Sequence, residues 1–375
     1  MANKTILACL LLLAAVPIAA QQPVAPIREW HLENPGLVEP NSERVGVRFL
    51  SNTDLVAYST VLNDIAVKKQ NGTASTVQYV LRLMALSEVS DDKRPIVAEW
   101  PAYRIPAVMA NSSGQAVVQT GNILRLVAPD LHVLKVWEGP DLLLPSYDGS
   151  SSTISPSGNT LLYESVSFTS TPATRMASDV RVLDARTLEV KAEWQAGFML
   201  YPFSLSDSGI LKSDRSGSGE VYFREFSGKW QLFADRKSLK CWILDFFDEL
   251  RVLSACGREL ALLSLDGRIL SRQMLADKSY GNLGGKIARA KERKTVVLDL
   301  TKFRGDLLDI TWISRRTVLV VDVERKQTLL SINIKPLPTT VGTDAKFDFD
   351  ISPDGSRVAV LVNSTVKLYK VPDSN

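Results

Sequence analysis

From Trp30 to the C-terminus the chain is built of short apolar runs, four to eight residues long, set between clusters of Gly, Asn, Asp, Ser and Pro. Residues 77–84, 123–127, 180–183, 221–226, 295–300, 317–323 and 357–362 are examples. Runs of this length, rich in Val, Ile, Leu, Tyr and Phe and punctuated by turn formers, read as β-strands. No stretch of twelve residues carries the period of an amphipathic helix, so the pattern predicts an all-β fold with tight turns.

The runs recur as a unit. A turn phrase of the form apolar, Ser, Pro, Ser or Asp, Gly occurs at 154–158 and 351–355. Weaker copies stand at 205–209, 110–114 and 50–54, and two degenerate ones at 247–250 and 290–294 complete a set of seven. At such a turn Pro presets φ, Asp bonds the backbone and Gly tolerates positive φ. A second phrase places Trp shortly after a charged residue at the end of a unit: Glu99-Trp100, Lys135 before Trp137, and Glu193-Trp194. It also occurs at Glu29-Trp30, before any unit has begun, whereas the last unit, 347–371, holds only three evident strands. A circular array accounts for both, with residues 27–32 pairing with 365–369 as the outermost strand of the final unit.

These residues resemble the seven-bladed β-propellers of the WD-like and YVTN-like repeat type found in secreted bacterial proteins. The resemblance covers residues 24–372 and is carried by the two Ser-Pro-Ser/Asp-Gly phrases, their weaker copies and the outer-strand Trp residues. Neither the Gly-His opening nor the Trp-Asp ending of the eukaryotic WD pattern is present, so that pattern's hydrogen-bond tetrad is not carried over. The resemblance implies one domain, 21–375, of seven four-stranded antiparallel blades at about 44–101, 105–139, 150–196, 200–235, 239–276, 284–336 and 344–372, closed by a strand at about 24–32. A pair of β-sandwiches is the alternative, and it leaves Glu29-Trp30 without a purpose. In propellers of this kind the between-blade connections and the loops from second to third strand share one rim of the central channel. Candidate binding residues at that mouth are Tyr103 with Arg104, Tyr147, Tyr201, Tyr280 and Lys286. Long loops at 63–76, 166–178 and 302–315 overhang it, where function tends to concentrate. The same tyrosines also suit packing between neighbouring sheets with a wet hydroxyl.

Upstream, Lys4, the apolar residues 6–15 and the polar pair Gln21-Gln22 after Ala20 have the form of a secretory signal peptide cut after Ala20. The apolar run is shorter than the ~20 residues that span a bilayer, so the mature chain is expected to be secreted or periplasmic without a membrane span. Forty-four Lys plus Arg against 41 Asp plus Glu leave +3, too little and too evenly spread for a nucleic-acid surface. Two His and three Cys nearly exclude a zinc site by supply. Beyond Cys9, Cys241 and Cys256 flank Asp248-Glu249. A two-residue turn there pairs residues whose numbers sum to 497: Phe247 with Leu250, Trp242 with Ala255 and Cys241 with Cys256. A disulfide in an oxidising compartment is then expected, and two unpaired buried thiols are the alternative.

The sequence holds no G-x-S-x-G elbow, H-E-x-x-H, P-loop or dinucleotide fingerprint. Residues 281–286, Gly-Asn-Leu-Gly-Gly-Lys, have the wrong spacing for a phosphate cradle and read as a loop. Asp348, Asp350 and Asp354 alternate with apolar residues instead of following the spacing of a calcium loop, so no calcium, other divalent metal or cofactor is implied. Asp348 and Asp350 are expected to face the channel and be solvated. Two functions fit. One is a non-enzymatic scaffold binding a protein, peptide or glycan partner through its loop-bearing face. The other is a lactonase-like or hydrolase-like enzyme with a channel-mouth site. The scaffold is preferred because the inner-strand acids, Asp245, Asp348 and Asp350, stand among Lys286 and Arg289 without forming a convergent acidic set, and an enzyme needs its groups together.

Overall fold

The structure, a computed structural model, describes residues 24–33, 36–39, 42–69, 72–89, 97–102, 106–140, 150–168, 176–197, 204–213, 220–235, 243–275, 282–304, 312–334 and 346–373. These residues form seven four-stranded antiparallel sheets. Strand β1 (Arg28–His31) precedes blade 1, which holds β2 (Ser42–Phe49), β3 (Asp54–Lys69), β4 (Gly72–Ser87) and β5 (Val97–Ala102). Blade 2 holds β6 (Ala107–Ala110), β7 (Ala116–Thr120), β8 (Ile123–Val127) and β9 (Val133–Glu138). Blade 3 holds β10 (Ser150–Ile154), β11 (Thr160–Phe168), β12 (Met176–Asp184) and β13 (Val190–Gly197). Blade 4 holds β14 (Ser204–Leu205), β15 (Gly209–Ser213), β16 (Glu220–Glu225) and β17 (Gln231–Asp235). Blade 5 holds β18 (Ile243–Phe246), β19 (Arg251–Cys256), β20 (Glu259–Ser264) and β21 (Ile269–Met274). Blade 6 holds β22 (Asn282–Arg289), β23 (Thr295–Arg304), β24 (Trp312–Asp322) and β25 (Gln327–Ile334). Blade 7 holds β26 (Phe347–Ile351), β27 (Arg357–Val362) and β28 (Thr365–Lys370), and its fourth strand is β1. The chain is a seven-bladed β-propeller, with the first strand of each blade innermost.

Alternation explains why the middle strands are apolar almost throughout. Successive side chains of a strand point to opposite faces, and in a ring of blades both faces are buried. In β23, Val296, Leu298 and Leu300 pack toward blade 5, while Val297 packs toward blade 7. Seven hydrophobic clusters of described residues occupy the seven blade junctions, from Val47, Leu55, Leu361 and Leu368 between blades 7 and 1 to Leu162, Val180, Leu205 and Ile210 between blades 3 and 4. The outer-strand tryptophans lie where the sequence puts them, in β1, β5, β9 and β13.

The ring closes as the stray Glu29-Trp30 phrase requires. Arg28 stands opposite Leu368 and His31 opposite Thr365, and the ladder is extended by Ile27 N–H to Leu368 O at 2.7 Å and Leu32 N–H to Ser364 O at 2.7 Å.

The turn phrase works through its second residue. Ser51, Asn111, Ser155, Ser206 and Ser352 each accept a backbone N–H from three to five residues on, at 2.9–3.1 Å. Glycine serves two ends. Gly158 has φ +77°, whereas Gly209 begins β15, where a Cβ would lie 2.6 Å from the Arg224 carbonyl oxygen. The degenerate copy in blade 6 is shifted by one residue from its sequence reading. Ala290 N–H to Thr295 O matches Ser155 N–H to Thr160 O and Ser352 N–H to Arg357 O, so Ala290 takes the capping position and Lys291 that of Pro156 and Pro353.

Three further readings are corrected. Residues 282–286 are strand rather than loop. Asn282 and Leu283 oppose Thr301 and Leu300, and Ile287 opposes Leu298, so residues 284–286 bulge opposite Asp299 alone. In blade 5, Ile243 opposes Ala255 and Phe246 opposes Val252, so paired numbers sum to 498 and Ala255 does not face Trp242. The loop is longer than two residues, because Phe247 N–H donates to Arg251 O. Cys241 lies outside the described residues, while Cys256 ends β19. Finally, the stretch 63–76 is no unstructured loop: β3 and β4 stay paired to Lys69 opposite Gly72. Among the described residues no helix is long and apolar enough to cross a membrane.

Candidate functional site

Every inner strand runs from the end of the channel bearing the between-blade connections to the end bearing the turn phrases. The two rims therefore differ in construction. At the loop-bearing end, among the described residues, the second and third strands of blades 1 and 6 outrun their sheets. In blade 1, β2 pairs no further than Val61 and β5 no further than Tyr79, yet β3 and β4 continue for about eight residues more, some 26 Å at ~3.3 Å per residue. In blade 3 the β11–β12 pair reaches Phe168 opposite Met176, but β13 pairs with β12 as far as Ala177 opposite Gly197, so this hairpin stays with its sheet. In blade 6 the β23–β24 pair reaches Arg304 opposite Trp312, beyond Thr301 where β22 pairing ends. Blades 1 and 6 are two of the three whose connections read as long in the sequence. Of the residues predicted to line this mouth, Tyr103, Arg104, Tyr147, Tyr201 and Tyr280 lie outside the described residues.

Lys286 is described, and its place follows from the bulge. A bulge re-aims a side chain, and residues 284–286 turn Lys286 toward blade 7. There its Nζ donates to Asp348 and to the Phe349 carbonyl oxygen. Asp348 is buried rather than solvated. Its Oδ2 accepts the Val47 N–H at 3.0 Å and lies 2.6 Å from Arg48 Nη1, while Asp350 Oδ2 accepts the Phe49 N–H at 2.8 Å. The innermost strand of a blade has an unpaired edge whose amides need acceptors. Two carboxylates from β26 supply them to β2, across the seam where the ring closes. Between blades 5 and 4 a serine takes that part: Ser204 Oγ accepts the Phe246 N–H and donates to Asp245, which stands 3.0 Å from Arg289 Nη1.

The environment drives the two β26 carboxyls apart. Burial alone would raise that of Asp348, but Arg48 and Lys286 outweigh it and hold the group below the usual carboxylate range. Burial prevails at Asp350, whose carboxyl is pushed up. Burial and the nearby Arg48 push the Lys286 ammonium down, and burial carries the Tyr58 phenol up to about 12. Arg48 Nη2 donates to Tyr58 at 3.2 Å. The carboxylates are thus spent on amides and cations. Among the described residues no group of three or more His, Cys, Asp and Glu is placed to hold a metal ion.

Beside this cluster, toward the turn end, lies a cavity of about 420 Å³. Arg48, Arg289, Lys291 and Asp350 line it together with Val108, Met109 and Ile154. At its rim the turns are tied to one another. Asp207, from blade 4, accepts the Ser155 hydroxyl at 2.6 Å, the Ser157 hydroxyl at 2.7 Å and the Asn159 amide at 3.2 Å, all from blade 3, and its own N–H donates to Glu249 at 2.6 Å. Asp207→Ala leaves three donors without their acceptor. It is expected to cost about 2 kcal/mol in urea unfolding, since hydrogen bonds to a charged group contribute ~1.5–3 kcal/mol each and are not additive. An unchanged midpoint would show that the turns are tied without it. The sequence signal was an Asp at the Pro position of a weaker turn copy; its partners, some 50 residues away, were not legible.

The sequence matches no protein-family model, and no curated protein is similar to it. In strand arrangement it is similar to the WD40 domain of Pan2 from Neurospora crassa, at 11% identity over 92% of this chain and 96% of that one, with a TM-score of 0.49. It is also similar to the uncharacterized protein lmo1340 of Listeria monocytogenes EGD-e, at 11% identity over 89% and 95% of the two chains, with a TM-score of 0.49. The C-terminal WD40 domain of Sif2 is a third such structure, at 10% identity over 94% and 99%, with a TM-score of 0.42.

Proposed function

We propose that this propeller is a secreted, non-enzymatic scaffold that binds a protein, peptide or glycan partner through its loop-bearing face. The observation that carries the reading is the projection of the β3–β4 and β23–β24 hairpins past the described strands of their sheets at one end of the ring. A two-stranded ribbon beyond its sheet adds little to the stability of a fold and presents unpaired edges. Hairpins of this kind are suited to contact, and the fold gains nothing evident from their length. Export rests on the signal-peptide pattern ending at Ala20.

The test replaces residues 63–78 by an Asn-Gly turn. The expected variant unfolds within about 2 °C of the parent, because the deleted ribbon carries little of the fold's stability, and it loses the partner captured by the mature protein from its own extracytoplasmic fraction. Capture that survives this change and shortening of the β23–β24 hairpin would refute the reading. Intact mass of the exported protein, expected to begin at Gln21, checks the compartment.

A further inference from the structure

The central cavity, at the opposite end from the proposed partner face, has a predominantly cationic lining. Four cationic side chains line it, Arg48, Lys286, Arg289 and Lys291, against the single carboxylate of Asp350. Acids outside the lining face the same cations: Asp348 stands between Arg48 and Lys286, Asp245 and Glu249 face Arg289, and Glu292 acts on Lys291. The lining itself thus sets four cations against one carboxylate.

Arg289 pairs with Asp245 through Nη1 at 3.0 Å, and no hydrogen bond engages the rest of its guanidinium among the described residues. A guanidinium offers a planar fork that matches carboxylate or phosphate oxygens two at a time. Lys286 keeps 32% of its side chain accessible while lining the cavity. Lys291 marks the site a second way. In blade 6 the turn has lost its capping serine to Ala290, and Lys291 stands where two other turns carry proline. Its ammonium reaches across to the Asn111 carbonyl oxygen of blade 2 at 2.7 Å, with no carboxylate within ion-pair distance among the described residues. That bond ties the blade 6 turn to blade 2 and holds the ammonium at the cavity wall.

Val108, Met109, Ile154 and Ile287 supply apolar wall. We propose that the cavity binds a small organic anion, a carboxylate or phosphate group on a compact apolar body, with the acid anchored by Arg289 and flanked by Lys286 and Lys291. Its volume of about 420 Å³ falls in the range of small-molecule sites, ~300–1,000 Å³.

Calorimetric titration of the full mature chain with phenyl phosphate and with benzoate tests the proposal, with benzyl alcohol as the neutral counterpart. At least one of the two acids is expected to bind saturably, the stronger identifying the preferred group, and the alcohol to bind more than roughly tenfold more weakly. Arg289→Met keeps the length of the side chain without the fork and is expected to weaken the acid by roughly tenfold or more. Its unfolding midpoint without ligand is measured in parallel. If that variant does not fold, the wild type labelled at methionine methyl groups decides, because nuclear Overhauser contacts from the phenyl protons should fall on Met109. Absence of saturable binding by both acids, equal binding of the alcohol, unchanged affinity in folded Arg289→Met, or contacts confined to other methionines would overturn the proposal. Protein with residues 63–78 replaced should bind the acid unchanged, which separates this site from the partner face.

Discussion

A chain lacking residues 21–33 is expected to unfold roughly 10 °C or more below the parent, in one transition that takes the whole ring with it. The deleted segment is β1, the fourth strand of blade 7, followed by Leu32. Leu32 is wholly buried in the junction of blades 7 and 1, against Val366 and Leu368 of β28 and Val47 and Leu55 of blade 1, with Trp30 packed on the same cluster. Losing one such leucine costs about 2–5 kcal/mol. Deletion also strips the pairing of β28 and bares the apolar face of Val366 and Leu368. A loss of about 5 kcal/mol or more is a large part of the ~5–15 kcal/mol that stabilises a typical protein. Because each blade is buried by its neighbours on both sides, an opened seam is not contained in one blade. Leu32→Ala should reproduce about half the effect. A midpoint unmoved by the deletion would mean that the ring does not depend on this strand for closure.

How much of this was legible in the sequence depends on the range of the interaction. Turns are local: the Ser or Asn that caps each turn and the Gly of positive φ are visible as a recurring phrase, and so is the count of seven. Glu29-Trp30 announced the closing strand because an outer-strand phrase ahead of the first unit has no other place in a ring. The register of blade 5 was missed by one residue because loop length between two apolar runs is not encoded by the runs themselves. Bulge and hairpin were missed for a related reason. Gly284-Gly285 looks like a loop in one dimension, and only pairing with β23 makes it a strand that swings Lys286 toward β26. The weakly apolar 63–76 gave no alternation strong enough to announce paired strands. Least legible was the role of Asp348 and Asp350. They serve the amides of Val47 and Phe49, 301 residues away in each case, and no spacing rule reaches that far.

These two aspartates are expected to respond in opposite senses to the same substitution. Asp348→Asn removes the carboxylate shared by Arg48 and Lys286 and leaves two cations in the channel without it. Breaking a buried pair in this way costs about 3–5 kcal/mol. Asp350→Asn keeps an oxygen for the Phe49 N–H and removes a charge that burial disfavours, so it should cost little or stabilise at neutral pH. The pH dependence follows from the directions of the shifts. The Asp348 carboxyl is held below its unfolded value of ~3.9, so its contribution is complete above that value and is lost as pH falls through the folded pKa. The Asp350 carboxyl lies above its unfolded value, so the stability linked to its proton is present below ~3.9 and is lost as pH rises through the folded pKa. The Tyr58 phenol, carried up to about 12 by burial, changes charge well above this window. Urea unfolding from about pH 3 to pH 7 should therefore show the Asp348→Asn deficit shrinking toward acid. Over the same range any benefit of Asp350→Asn should grow toward neutrality. Equal costs for the two variants at pH 7 would sink the argument, because then charge at either position would serve the fold alike, and the sharing of Asp348 between two cations would not be what holds the seam.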